Sequence, residues 1–276
     1  MGRRLLGLGA AIAFVLACSV TLAAASGFGR ALASHEIAIP ALAVAGTTVL
    51  TLIAVRFGGV SARQAGLVPN RRTPRKFLIG AAIGFALVGA HMAALALTGH
   101  IAWRWNAQFN AGRSFVVLTI FALLALREEL AFRGWPFRKL ILSWGPIGAQ
   151  LIIAALFASE HVVSGVPLAQ AVFGAGIGSL VFGAAALRSG GLAMPIGLHL
   201  AWNLGDWARG GKDATGMLIP VVDPTFQATM ALVGLTSYAA IMVLATVVLM
   251  RGARGTGARP AMRQVYSRSV SRMRAK

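Results

Sequence analysis

The chain of 276 residues is 57% hydrophobic and only 12% charged, about half the charged share of an ordinary soluble domain; its mean hydropathy is +0.75. That composition excludes a soluble globular protein, and apolar runs of about 20 residues, the length that spans a bilayer, recur along nearly the whole chain. The formal net charge of +19, from 26 Lys and Arg against seven acids, does not point to nucleic acid. The bases cluster in short segments between apolar runs, and no stacking aromatics accompany them.

An all-α, polytopic membrane fold of about eight transmembrane helices is predicted, with spans near 5–25, 37–57, 77–98, 115–141, 146–165, 167–187, 191–208 and 225–250. They form a single transmembrane domain over residues 1–250, followed by a basic, disordered tail at 251–276 that is suited to anionic lipid.

The first span, in "MGRRLLGLGAAIAFVLACSVTLAAASG", has the basic start and small-residue ending of a signal peptide. Its apolar stretch exceeds the usual length of about 7 to 15 residues, which favours a retained helix. Cleavage would remove one span and is expected to touch none of the polar residues considered below. Cys18 is the single cysteine, which excludes an intrachain disulfide and a multi-thiolate metal site.

Bases at Arg3, Arg4, the loop 56–76, Arg133, Arg138, Lys139, Arg188 and the tail fall on one side of the alternating spans. The other side carries Arg30, Arg104, Arg113, Arg209 and Lys212, offset by Glu36, Asp206, Asp213 and Asp223. Both termini are therefore expected in the cytoplasm, and the localisation is expected to be a bacterial inner (plasma) membrane. The glycines of "FGAGIGSLVFGAA" (173–185) are read as helix packing, since the segment follows no strand.

Each ionisable group at membrane depth is a functional hypothesis, because insertion scales put its cost at about 2.5 to 3.5 kcal/mol. The fourth span carries Arg127, Glu128, Glu129 and Arg133, the fifth Glu160 and His161, the seventh His199 with Asn203, and the third His91. Glu129 precedes Arg133 by one helical turn and can neutralise it. Glu128 points about 100° away around the helix and lacks an equally good local partner. The alternative for this quartet is an ion-pair knot that sets helix register.

The chain reverses at "LSWGP" (142–146). With the tip at 144–145, Glu128 and His161 lie at matched depth, about 25 Å along antiparallel helices at 1.5 Å per residue. A carboxylate and an imidazole so placed can hold and deprotonate a water molecule. Phe157, one turn before His161, either walls the pocket or simply packs. His199 and Asn203 share one face as donors suited to an oxyanion, or as a clamp between helices. His35, His91 and His100 are read as structural.

"EELAFR" (128–133), "FASEH" (157–161) and "HLAWN" (199–203) fit EExxxR, FxxxH and HxxxN in order. Together they resemble the CAAX protease and bacteriocin-processing (CPBP/Abi) family of intramembrane endopeptidases, which includes the type II CAAX prenyl proteases. The likeness covers about residues 75–208. It implies an eight-helix fold with an intramembrane polar cavity, in which Glu128 and His161 activate water, His199 and Asn203 stabilise the oxyanion, and Glu129 and Arg133 support the first motif.

No cofactor is then required. A metalloprotease alternative would take Glu128, His161 and His199 as zinc ligands. The expected substrate is a peptide or membrane-protein segment, prenylated or unmodified. Competing readings are a non-catalytic immunity or partner-binding protein on the same scaffold, and an ion-coupled transporter. Glu160 departs from the small or apolar residue expected before His161, and its role is open between pocket wall, second acid and loop-facing group.

Overall fold

Apolar runs in a bilayer can satisfy backbone N–H and C=O groups only within themselves, so each closes into a helix. The computed structural model describes residues 2–31 and 36–255. Its helices are α1 (Gly2–Ala31), α2 (Ala38–Phe57), α3 (Thr73–Ala96), α4 (Ala111–Arg133), α5 (Trp135–Val163), α6 (Leu168–Gln170), α7 (Ile177–Ser189), α8 (Ala193–Ala208) and α9 (Gln227–Gly255). A π-helical turn, Ala171–Gly176, joins α6 to α7. Six helices are long and apolar enough to cross a membrane, with Ala111–Val163 counted as one 53-residue run. The all-α polytopic architecture is as expected from composition. His35 and the tail beyond Gly255 lie outside the described residues.

The expected fourth span, 115–141, is interrupted. Helix α4 ends at Arg133, where Gly134 adopts φ −72° and ψ −122°, and Pro136 stands in the first turn of α5. The chain turns again at Gly145, whose φ of 72° and ψ of 173° break α5 just before Pro146. Only glycine takes such a positive φ readily, and proline suits the first turn of the next helical segment.

Two short strands were not anticipated. β1 (Ile101–Trp105) and β2 (Leu218–Val222) pair antiparallel, from Ile101 opposite Val222 to Trp105 opposite Leu218. Their β-branched and aromatic side chains suit a pleated surface, but five residues give little alternation to read, and Pro220 sits within β2.

One end of the bundle collects the bases. Lys139 donates to Gly58 O at 2.9 Å, Lys76 to Ser189 O at 2.7 Å and Arg138 to Ala186 O at 3.2 Å. The start of α1 lies at the same end, where Trp144 Nε1 donates to Arg4 O. These cations meet carbonyls at helix C-termini, where the orphaned C=O groups and the helix dipole favour positive charge.

Helix α8 lies directly against α3. A Cβ at Gly197 would stand 2.1 Å from Phe77 O, and one at Gly80 2.0 Å from Met194 O. Backbone carbonyls cannot rotate away as a side chain can, so these glycines set the helix separation. Gly197→Ala is expected to cost at least about 1 to 3 kcal/mol through overpacking, read as a lower melting temperature in detergent. Unchanged melting would mean that α3 and α8 are not in backbone contact.

Candidate active site

The functional side chains stand on α4, α5 and α8, and α7 closes them in. On α4 the one-residue step from Glu128 to Glu129 turns the two carboxylates apart. Glu129 and Arg133 are fully buried, whereas the Glu128 side chain is 19% accessible. That difference separates the two carboxylates, since only Glu128 is partly accessible.

Glu129 is the organising group. Its Oε1 lies 3.4 Å from Arg133 Nη1 and accepts from His199 Nδ1 at 2.9 Å. Arg133 also donates to Ser179 O and Oγ on α7, at 3.0 and 2.7 Å. Its guanidinium lies 4.7 Å from the Phe157 ring centre and 5.2 Å from that of Phe182. A buried charge is costly unless paired and hydrogen-bonded, and here ion pair, hydroxyl, carbonyl and ring faces share the load.

His199 is fixed on both sides. Phe182 stacks on it with ring centres 4.2 Å apart and planes 14° from parallel. Because Nδ1–H donates to Glu129, Nε2 is the nitrogen left free, and it lies 3.6 Å from Glu128 Oε2. That is too long for a direct hydrogen bond, but an oxygen atom about 2.8 Å from each closes a triangle on it. Asn203 stands one turn further along α8, partly accessible and without a side-chain hydrogen bond among the described residues.

His161 enters from α5. Its Nδ1–H donates to Phe157 O at 2.9 Å, leaving Nε2 as the free ring nitrogen. Phe157 is 3% exposed and lies between the two imidazoles, its ring centre 4.6 Å from that of His161 and 6.4 Å from that of His199. Glu128 is thus brought to His199, while no ion pair joins it to His161 within 4.0 Å among the described residues. Nor, among those residues, are three His, Cys, Asp or Glu side chains arranged to hold a metal ion. Each imidazole has one nitrogen donating to protein oxygen and the other free, an arrangement that serves a water-binding histidine and a metal-binding one alike.

Several partners were not anticipated from the sequence. Glu160 forms a partly buried ion pair with Arg127, which makes it an interhelical partner. Ser19 Oγ donates to Glu160 Oε2 and Arg127 Nη2 donates to Cys18 O, each at 3.1 Å. Loss of α1 would therefore disturb groups flanking the site, contrary to the expectation that it would touch none of them. His91 Nε2–H donates to Gly234 O at 2.9 Å, and His100 stacks on Phe226; both have partners away from the motif residues.

Residues 110–205 match the family model described as type II CAAX prenyl endopeptidase Rce1-like. The matched segment, about a third of the chain, carries all three motifs. No curated protein and no solved structure matches the chain. Its six long apolar helices make the protein an integral membrane protein, similar over that segment to a family of membrane endopeptidases.

Proposed function

We propose that the chain is a glutamate-type intramembrane endopeptidase that hydrolyses a peptide bond with water activated at Glu128. The observation that carries this reading is the convergence of Glu128 and Glu129 of α4 on His199 of α8. Register alone requires one neutralised pair, which Glu129 and Arg133 supply. The second, accessible carboxylate beside an oriented imidazole is what hydrolysis needs.

In the proposed cycle, Glu128 takes a proton from water as the water oxygen attacks the scissile carbonyl carbon, and His161 Nε2 accepts from the same water to aim it. The tetrahedral oxyanion is met by donors from His199 Nε2 and Asn203 Nδ2. For this His199 enters the cycle already as the imidazolium, with Nδ1–H to Glu129 and Nε2–H to the oxyanion, and Glu129 keeps its negative charge throughout to balance it. As the C–N bond breaks, Glu128 returns its proton to the leaving nitrogen, giving a carboxylic acid and an amine, and the acid then passes its proton to the amine or to solvent. No covalent acyl-enzyme and no metal takes part.

The substrate we propose is a peptide tail or membrane-protein segment delivered from the bilayer. A CAAX-type prenylated tail is compatible with the family, and so is an unmodified peptide. The gathering of Lys76, Arg138 and Lys139 at one end supports cytoplasmic termini in a bacterial inner membrane.

Asn203→Ala is expected to lower kcat for a membrane-inserted reporter peptide about 10²- to 10³-fold with little change in KM, as for loss of one oxyanion donor. A non-catalytic partner-binding protein predicts instead that Asn203→Ala and His199→Ala both keep the cellular phenotype. Wild-type turnover in the Asn203→Ala variant would remove this residue from the oxyanion role.

A further inference from the structure

Two residues that the proposed reaction does not use stand immediately before two that it does: Arg127 precedes Glu128, and Glu160 precedes His161. They are bound to each other. The Arg127 side chain is 1% exposed and that of Glu160 11%, so the pair is removed from its surroundings, and Arg127 Nε has no hydrogen-bond partner among the described residues. Surface register between apolar helices does not require so costly a device, because packing alone can set it.

Its location gives it a use. The direction of a side chain at one helical position fixes that of the next, about 100° around the axis. An ion pair between positions 127 and 160 therefore constrains both the rotation and the depth of the neighbouring Glu128 on α4 and His161 on α5. The pair is also tied to a third helix. Cys18 O of α1 accepts from Arg127 Nη2, and Ser19 Oγ donates to Glu160 Oε2, so each partner is held from α1 at 3.1 Å. Below this level, Phe14 of α1 packs on Trp135 with ring centres 5.4 Å apart.

We infer that Arg127 and Glu160, tied to α1 through Cys18 and Ser19, are a positioning pair that sets His161 of α5 against Glu128 of α4. The inference rests on the peptidase reading for its consequence in catalysis, though not for its geometry. Neither residue touches the reacting atoms.

The test uses the full chain in lipid nanodiscs and the double variant Arg127→Met/Glu160→Met, which removes both charges and keeps side-chain length. Replacing both partners of a buried pair by apolar residues is often neutral for folding, so melting close to that of wild type is expected. The ¹⁵N signals of the His161 imidazole should shift, while those of His199, held by Glu129 and Phe182, stay in place. On a membrane-inserted reporter peptide, kcat should fall on the order of 10²-fold, the scale of a misplacement of about 1 Å, with KM unchanged.

A folded double variant with wild-type His161 signals would overturn the inference. If the double variant does not fold, Ser19→Ala decides: a smaller His161 shift in the same direction supports positioning, and an unchanged spectrum contradicts it. Should the wild type cleave no peptide, the peptidase reading fails, and the His161 spectrum still decides whether the pair positions that ring.

Discussion

Glu128→Gln is expected to reduce kcat for cleavage of a membrane-inserted peptide by about 10²- to 10⁴-fold, the range contributed by a positioned general base. Melting should barely change. The Glu128 carboxylate is partly accessible, and His199 Nε2, at 3.6 Å, is too far from it for a direct hydrogen bond, so the amide that replaces it leaves no close contact broken. The two readouts must part company: activity falls and stability does not. Joint loss of both would make Glu128 a member of the ion-pair knot, whereas retained activity would place the base elsewhere.

Glu129→Ala should show the opposite balance, with stability falling first. Glu129 and Arg133 are both 0% exposed, and removing one partner of a buried pair costs about 3 to 5 kcal/mol because the other charge is left uncompensated. His199 loses its Nδ1 acceptor in the same step. Equilibrium unfolding in mixed micelles measures the first effect. The double variant Glu129→Met/Arg133→Met separates the second: it should recover much of the stability, because no charge is left unpaired, but not the activity, because nothing fixes the His199 ring. Recovery of both would reduce Glu129 to a neutralising partner of Arg133.

What the sequence disclosed and what it concealed divide along one physical line. Relations within a single helix follow from the 100° step, and so the Glu129–Arg133 pair and the shared face of His199 and Asn203 could be read from spacing. The reversal at Gly145 and Pro146 was legible from residue chemistry as well. Relations between helices depend on how each is rotated about its own axis, which spacing does not contain. The pairing of Glu129 with His199, 70 residues apart, is of this kind, and so is the stacking of Phe182 on His199.

The Arg127–Glu160 pair lies between these cases. The hairpin arithmetic that set Glu128 level with His161 also sets Arg127 near Glu160, and an isolated acid opposite an isolated base at one depth is a usable signal. The break at Gly134 carried a signal of the same kind as Gly145 and Pro146, Gly134 followed by Pro136 and flanked by Arg133 and Arg138, which the long apolar run around it outweighed. The part played by α1 was hidden because it acts through a carbonyl, Cys18 O, and a single hydroxyl, Ser19 Oγ.

The most direct test of proteolysis driven by Glu128 compares the new protein C-termini in membranes of cells expressing the wild-type chain with those in cells expressing Glu128→Gln at equal abundance. A set of cleaved tails, each lying next to or within an apolar or lipid-modified segment, is expected with the wild type and should be absent with the variant. Identical C-termini in the two membranes would contradict the peptidase function.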